Sequence, residues 1–275
     1  MSRLRISAIS YLNTAPLMWD FEHGKRPEFE LSYTIPSGCA QALLEGSADI
    51  GIIPAAAYTT IPNLVIVPEV AIASRREVRS ILLVSKAPVE RIRTVALDTS
   101  SMTSVALTKI LFAKWLGGER EYMPMAPQLD AMLTRCDAAL LIGDPALQVD
   151  RTRYLTLDLA EEWNRRTGKS FVFAFWAIRR AALAGRDERS VADAFRESRD
   201  HGLKQENLRS IVRDWSQRLE LAEPVVQAYL TENIHYQLDD PCLEGLALFY
   251  SLAEEVGALP RAPQLRFLEG VPSVS

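Results

Sequence analysis

The stretch RISAISYLNTAPL, residues 5–17, decides the fold because a strand, a polar loop and a helix start follow one another within it. The apolar run from Leu4 to Ile9 predicts a short buried strand. Hydrogen-bonding side chains come directly afterwards, at Ser10, Tyr11, Asn13 and Thr14. Because proline is tolerated in the first turn of a helix, residues 14–17 predict a helix start. This arrangement is typical of the ligand crevice of an α/β sheet, although an ordinary strand–helix connection has the same pattern.

The composition is that of a globular protein without a strongly charged partner. The chain has 275 residues, of which 48 % are hydrophobic and 24 % are charged. That length allows one large domain or two modest domains with a sizeable core. The formal net charge is −4, so we expect neither nucleic acid nor an anionic membrane as a partner. Local hydrogen-bond donors would therefore have to hold an anionic ligand.

Cysteine usage and the N-terminal sequence favour a reduced, cytoplasmic protein. Cys39, Cys136 and Cys242 are scattered and form no CxxC pair, which argues against a disulfide framework and against a zinc site. The sequence after Met1 enters a strand almost at once and lacks the apolar segment of a signal peptide. It also lacks a run of roughly 18 apolar residues that would span a bilayer. We expect a cytoplasmic protein with no membrane partner.

Strand and helix patterns alternate in two series before a helical tail. The first series runs from Leu4 to Ser85, and the second begins at Thr94. After Arg180 the apolar periodicity is helical only. We therefore predict an α/β protein in which lobe 1 comprises residues 1–88 plus 180–275 and lobe 2 comprises residues 89–179. The tail is expected to pack on lobe 1, and a ligand is expected in the cleft between the lobes.

Several kinds of catalytic site have no support in the sequence. His23, His201 and His235 are far apart and lie outside any HxH or HExxH motif, so we do not expect a metal. The chain has no GxGxxG or GxxxxGKS/T motif for a nucleotide and no GxSxG motif for a nucleophilic serine. We therefore predict a site without metal or cofactor that is built from neutral hydrogen-bond donors.

The hydroxyl-rich bend Asp98–Ser104 supplies such donors. It lies between a predicted strand, Thr94–Leu97, and a predicted helix. Free N–H groups at a helix N-terminus bind carboxylate or phosphate, which favours an anionic ligand here. The alternative is that Thr99 or Ser100 only caps the helix, a role worth about 1 kcal/mol. Asp144, at the next strand–helix junction, is likewise either an acid in the cleft or a structural cap.

Ordered segments of the chain resemble the chorismate dehydratases of the futalosine menaquinone pathway. The segments are Ser10–Leu17, Gly46–Pro54, Arg79–Ser85, Asp98–Ser104, Ile142–Leu147, Leu157–Trp163 and Phe171–Trp176. The helical tail is of the type found in these enzymes but contains no distinctive motif. The resemblance implies a two-lobed periplasmic-binding-protein-like (type II) fold that acts as an enzyme without a cofactor. The implied reaction removes water from chorismate and gives 3-[(1-carboxyvinyl)oxy]benzoate.

The same resemblance implies roles for individual residues. Asn13 and Ser80 would be the catalytic or reaction-orienting side chains. The candidate substrate-binding residues are Ser10, Thr99, Ser100, Ser101, Thr103 and Asp144. No histidine or glutamate base accompanies these residues, so we expect the enolpyruvyl carboxylate of chorismate, positioned by Asn13 and Ser80, to remove the proton. The small-molecule partner would thus be a dicarboxylate.

Two other functions stay open at this level. The 1,4-dihydroxy-6-naphthoate synthases of the same pathway resemble this fold but carry a catalytic histidine after the strand that corresponds to Ala138–Ile142. This chain has Gly143 and Asp144 there, which weighs against that reaction. The other alternative is a non-catalytic cytoplasmic module that binds a small carboxylate. The basic stretch 75–79 either reaches a substrate carboxylate or faces solvent, and the sequence does not give the oligomeric state.

Overall fold

The computed structural model describes residues 3–268 and contains two five-stranded sheets with helices packed against them. The strands are β1 (Leu4–Ile9), β2 (Phe29–Thr34), β3 (Ile50–Pro54), β4 (Leu64–Ser74), β5 (Ile81–Ser85), β6 (Thr94–Asp98), β7 (Glu121–Met125), β8 (Ala138–Ile142), β9 (Leu155–Asp158) and β10 (Phe171–Arg179). The α-helices are α1 (Trp19–Glu22), α2 (Pro36–Glu45), α3 (Thr103–Lys114), α4 (Leu129–Arg135), α5 (Asp144–Leu147), α6 (Leu159–Thr167), α7 (Glu188–Gly202), α8 (Gln205–Leu219), α9 (Glu223–Ala228) and α10 (Asp240–Glu255). Short 3₁₀ helices cover Leu12–Met18, Ala55–Thr59, Val89–Arg91 and Arg180–Leu183, and a π-helical turn covers Tyr229–Asn233.

The first sheet has the strand order β2-β1-β3-β10-β4. Strands β2, β1 and β3 are parallel, whereas β10 is antiparallel to both β3 and β4. The strands β3 and β10 lie inside the sheet and are buried almost throughout. A strand covered on both faces needs apolar residues at every position, which explains why these two segments show no alternation.

The second sheet has the strand order β7-β6-β8-β5-β9. Strand β6 is parallel to β7 and β8, and β5 is antiparallel to β8 and β9. Because β6 and β8 are parallel, their carboxyl ends meet at one edge of the sheet, where the bend after Asp98 and the turn at Gly143 follow them. This edge faces the loop after β1, and the backbone N–H of Leu12 bonds to the Asp144 side chain across the gap.

The helices after β10 form a tail that packs on the first sheet. In α7, the Ser198 hydroxyl donates to the Leu17 carbonyl oxygen at 2.8 Å and accepts from the Asp20 N–H at 3.0 Å. In α10, the Tyr250 hydroxyl donates to the Ala55 carbonyl oxygen at 2.7 Å. These bonds join the tail to the segments that follow β1 and β3, as the sequence predicts.

Helix α7 also makes a close backbone contact at its C-terminal end. A Cβ atom built on Gly202 would lie 2.0 Å from the carbonyl oxygen of Pro16. Only a residue without a side chain allows this approach, so Gly202 sets how closely α7 lies on the 3₁₀ helix that follows β1.

The strand pairing shows that the chain crosses between the two sheets at residues other than the predicted lobe bounds. Strand β5, predicted to belong to lobe 1 (1–88), pairs with β8 and β9 in the second sheet. Strand β10, predicted to belong to lobe 2 (89–179), lies between β3 and β4 in the first sheet. The chain therefore leaves the first sheet after Ser74 and returns to it at Phe171. On this pairing we propose lobe bounds near residues 77 and 170; residues 1–2 and 269–275 of the predicted lobe 1 lie outside the described residues.

Candidate functional site

A cavity lies between the lobes, at the carboxyl ends of β1, β6 and β8. It contains about 460 Å³ that protein atoms do not occupy, part of it open to solvent. Residues from both lobes line it, among them Ile9, Tyr11, Asn13, Thr14, Ser101, Thr103, Ser104, Ile142, Gly143, Phe173 and Ala174. The polar side chains in this set are hydroxyl and amide groups, which can hold an anion only through hydrogen bonds.

The loop after β1 is tightened by a single threonine. The hydroxyl of Thr14 donates to the carbonyl oxygens of Ile9 and Tyr11, at 2.6 and 2.8 Å. The helix expected from Thr14 therefore begins earlier, at Leu12, and is a 3₁₀ helix that includes Pro16. This early start places Asn13, in the first turn, on the cavity wall.

Tyr11 crosses the gap between the lobes and packs on Gly143. A Cβ atom at Gly143 would lie 2.5 Å from the Tyr11 ring, and Gly143 has a φ of +64°. Both observations require glycine at this position. Burial raises the pKa of Tyr11, and the neighbouring Ser100 side chain opposes that shift. One aromatic side chain of lobe 1 thus contacts two loops of lobe 2.

Asp144 joins the lobes from the other direction. Its Oδ1 accepts from the backbone N–H of Leu12 at 2.9 Å, so it satisfies the N-terminus of the 3₁₀ helix of lobe 1. It makes no side-chain capping bond to its own helix, α5, and it does not line the cavity. Asp144 is 9 % exposed, and burial raises its pKa to about 6. Asp144 therefore caps a helix, but the helix that it caps is the 3₁₀ helix Leu12–Met18 of the opposite lobe.

The bend after β6 presents some of its hydroxyl groups to the cavity and uses others internally. The backbone N–H and the hydroxyl of Ser100 donate to Asp98 Oδ1, at 2.8 and 2.6 Å. Burial raises the pKa of Asp98, and the bonds from Ser100 oppose that shift. Thr99 is exposed and does not line the cavity. Ser101 does, together with Ser104, which the sequence reasoning did not select.

Thr103 begins α3 and connects it to lobe 1. Its hydroxyl accepts from the Ala56 N–H and donates to the Phe173 carbonyl oxygen, both at 3.1 Å. No side chain caps the first turn of α3, so the N–H groups of this turn are available at the cavity. Thr103 lines the cavity, but its hydroxyl already has two protein partners.

Ser80 lies behind the cavity wall in a segment with unusual backbone geometry. The preceding residue, Arg79, has a φ of +63°, a strained conformation for a residue with a side chain. Asp158 holds this segment by accepting from the backbone N–H groups of Val78 and Arg79, at 3.1 and 2.6 Å. The Ser80 carbonyl oxygen accepts from the Gly143 N–H at 2.8 Å. The side chain of Ser80 is fully buried.

A tyrosine from the tail connects Ser80 to Asn13. The hydroxyl of Tyr229 lies 2.8 Å from Ser80 Oγ, and the Asn13 side chain lies close enough to lower the pKa of Tyr229. The two residues that the sequence analysis assigns to catalysis are thus brought together through a third. Tyr229 was not predicted as a site residue because its segment has only helical apolar periodicity.

The remaining predicted contacts lie away from the cavity. Ser10 is exposed and borders a neighbouring depression instead. In the basic stretch, Arg75 forms an ion pair with Asp239 at 2.6 Å. Arg76 is exposed, and none of the arginines of this stretch lines the cavity.

Potential metal ligands come together at one place within residues 3–268, the group His235, Asp239 and Cys242. Asp239 Oδ2 accepts from Arg75 and lies 2.9 Å from His235 Nε2, and its Oδ1 caps α10. Burial raises the pKa of the Cys242 thiol to about 12. A guanidinium group and a protonated thiol disfavour a cation, and this group does not line the cavity.

Comparison with known sequences identifies the family. The family model described as menaquinone biosynthesis matches residues 4–255. The chain belongs to the menaquinone biosynthesis family. A family member named chorismate dehydratase from Thermus thermophilus is 32 % identical over 92 % of this chain and 94 % of that protein. Another protein of that name, from Campylobacter jejuni, is 28 % identical over 64 % of this chain and 68 % of its own length.

Comparison with solved structures identifies the fold of this family member. Protein AF1704 from Archaeoglobus fulgidus superposes with a TM-score of 0.69 at 15 % identity, covering 94 % of this chain and 98 % of that one. The periplasmic aliphatic sulphonate binding protein SsuA from Escherichia coli superposes with a TM-score of 0.66 at 17 % identity and 98 % coverage of both chains. The predicted two-lobed periplasmic-binding-protein-like fold is confirmed. Within the described residues, no helix is both long and apolar enough to cross a membrane.

Proposed function

We propose that this protein is a chorismate dehydratase that forms 3-[(1-carboxyvinyl)oxy]benzoate in menaquinone biosynthesis. The observation that carries the proposal is the 32 % identity, over nearly the whole chain, to the Thermus thermophilus protein of that name. The cavity between the lobes supports it, because its polar lining consists of neutral donors. No histidine among the described residues lines this cavity, which does not favour naphthoate synthesis by a catalytic histidine.

The chemistry requires positioning more than strong catalysis by side chains. Chorismate loses the proton from C3 and the hydroxyl group from C4. The electron pair of the C3–H bond enters the ring as the C4–O bond breaks, and the ring becomes aromatic. Because aromatisation drives the reaction, the protein has to hold a dianion in the reactive geometry and assist the proton transfers.

The N-terminus of α3 supports binding of one carboxylate. Its first-turn N–H groups have no side-chain cap, and Ser101 and Ser104 line the cavity beside them. Backbone N–H groups and the helix dipole at such an end favour an anion. The apolar wall formed by Ile9, Ile142 and Phe173 would contact the ring.

The base in this proposal is the enolpyruvyl carboxylate of the substrate. It accepts the C3 proton, and that proton together with the departing hydroxide makes the released water. Asn13, on the cavity wall, and Ser80, immediately behind it, would donate hydrogen bonds to this carboxylate. The scheme needs no protein base, which suits a cavity lined by hydroxyl and amide groups.

The direct test is to incubate purified, metal-stripped protein with chorismate and follow the products by mass and absorbance. We expect a product lighter by one water with a benzoate chromophore. Unchanged chorismate would contradict the proposal. In that event, a thermal shift with chorismate would favour a binding module, and no shift would direct the assay to the naphthoate-forming reaction.

Alanine variants test the assigned roles. We expect Asn13→Ala and Ser80→Ala each to lower kcat by about 10²-fold, as does loss of one positioned hydrogen-bond donor. Ser85→Ala is the matched control, since Ser85 is a buried serine on the adjoining strand whose hydroxyl donates to Ala87 O. Near wild-type turnover in the Asn13→Ala, Ser80→Ala double variant would overturn these roles.

A further inference from the structure

Tyr229 occupies an unusual position in the tail. It begins the π-helical turn Tyr229–Asn233, directly after α9, and such turns occur often at functional sites. Its side chain is 1 % exposed. The hydroxyl nevertheless reaches Ser80 Oγ, 149 residues away in sequence, at 2.8 Å. The aromatic ring is therefore part of the core, while its hydroxyl contacts Ser80 behind the wall of the site.

The donors and acceptors in this contact have a defined direction. A phenol is a much stronger acid than an aliphatic alcohol, so the Tyr229 hydroxyl is the donor and Ser80 Oγ the acceptor. The amide of Asn13 can then donate to the Tyr229 oxygen. This leaves the proton of Ser80 without an acceptor among the described residues. Bonds in such a chain polarise one another and strengthen the terminal donor.

We propose that Tyr229 is a positioning residue of the dehydration, which fixes the Ser80 hydroxyl so that its proton points to the substrate carboxylate. The inference rests on the proposed function. Without the Tyr229 donor, the Ser80 hydroxyl would lose the bond that fixes its rotation, and the carboxylate that serves as base would be less often in place. The ring of Tyr229 would still pack as before.

The test variant is Tyr229→Phe, which keeps the ring and removes the hydroxyl. We expect kcat to fall at least 10-fold with KM changed less than 2-fold, because Tyr229 acts through Ser80. In a Ser80→Ala background the same change should have no further effect on kcat. Tyr236→Phe is the matched control: Tyr236 is also buried in the tail, its hydroxyl has no hydrogen-bond partner within the described residues, and we expect wild-type kinetics.

A second variant keeps the test decisive if Tyr229→Phe does not fold. Site-specific incorporation of 3,5-difluorotyrosine at residue 229 preserves the ring and the hydroxyl and makes the phenol more acidic. In the native protein, burial raises the pKa of Tyr229, and Asp144 and Asp158 raise it further. Because the donor must be protonated, we expect the alkaline limb of kcat to move to lower pH in the fluorinated protein.

Each result separates this inference from the proposed function. If the wild-type protein does not convert chorismate, the proposed function itself fails. If the wild-type protein is active but Tyr229→Phe keeps its kcat, the positioning role is overturned. An equal loss in the Ser80→Ala background, or an unmoved alkaline limb, would also overturn it, because either result would leave Tyr229 only a packing role.

Discussion

Asp144 is a carboxylic acid whose environment disfavours its charge. It is nearly fully buried, and its one described partner is the N–H of Leu12. Burial raises its pKa from 3.8 to about 6. An acid with a raised pKa in the folded state binds its proton more tightly there than in the unfolded chain. Stability from this group is therefore greatest at low pH and declines as pH rises from about 4 to about 6.

Asp144→Asn should remove that pH dependence. Asparagine keeps an oxygen that accepts from Leu12 but cannot ionise, so we expect the free energy of unfolding at pH 7 to rise by up to about 3 kcal/mol. The gain should vanish near pH 4. Urea unfolding at several pH values measures it, with Asp130→Asn on the exposed face of α4 as control. An unchanged pH dependence together with lost turnover would instead assign Asp144 to the chemistry.

Single residues differ in how far the sequence predicts their position. Asn13, Ser101 and Thr103 reach the cavity because each follows a strand end within a few residues, which a local pattern can indicate. Thr99 lies in the same pattern and is exposed, since hydroxyl content does not encode the direction of a side chain in a bend. Tyr229 arrives from the distant tail, and no local pattern marks such a contact.

At the scale of elements, α7 and the 3₁₀ helix after β1 are joined by backbone contact at Gly202. We expect Gly202→Ala to lower the free energy of unfolding by about 2–4 kcal/mol, because the new Cβ would collide with the Pro16 carbonyl oxygen and force the helices apart. Chemical unfolding monitored by circular dichroism measures this. Gly24→Ala is the control, since its Cβ would meet no atom within 4 Å although its φ is positive; we expect a cost of about 1 kcal/mol. Equal costs for both variants would contradict the close contact.

Element types were predicted better than element partners. The predicted bounds assign the apolar runs that became β5 and β10 to lobe 1 and lobe 2, whereas β5 pairs within the second sheet and β10 within the first. A strand buried on both faces has an apolar sequence whichever sheet it joins, so its partners depend on the path of the connections. Strand β5 pairs with β8 and β9, and β10 pairs with β3 and β4. The apolar periodicity of the sequence does not indicate these partners.

At the scale of the whole molecule, the lobes are connected by a few polar contacts around the cavity. Thr103 supplies two of them, from the Ala56 N–H and to the Phe173 carbonyl oxygen. Thr103→Val keeps the volume but leaves two backbone groups without this partner, and we expect unfolding free energy to fall by about 2 kcal/mol. We also expect a larger radius of gyration in small-angle X-ray scattering.

Thr108→Val is the matched control for this prediction. Thr108 lies in the same helix and is buried, but its hydroxyl donates only to the Ser104 carbonyl oxygen within α3. Loss of the Thr108 hydroxyl should leave the radius of gyration unchanged. An unchanged radius in both variants would mean that Thr103 does not hold the lobes together.

The position of β10 has a consequence for the order in which the protein is made. Strand β10 fills the space between β3 and β4, so a nascent chain carries the first four strands with two unpaired edges until Phe171–Arg179 has been synthesised. The second sheet uses only strands between Ile81 and Asp158 and can close as one unit before that point. The lobe that begins the chain is therefore the last to be completed, and while it waits, its open β3 and β4 edges are the surfaces that a ribosome-associated chaperone would have to shield.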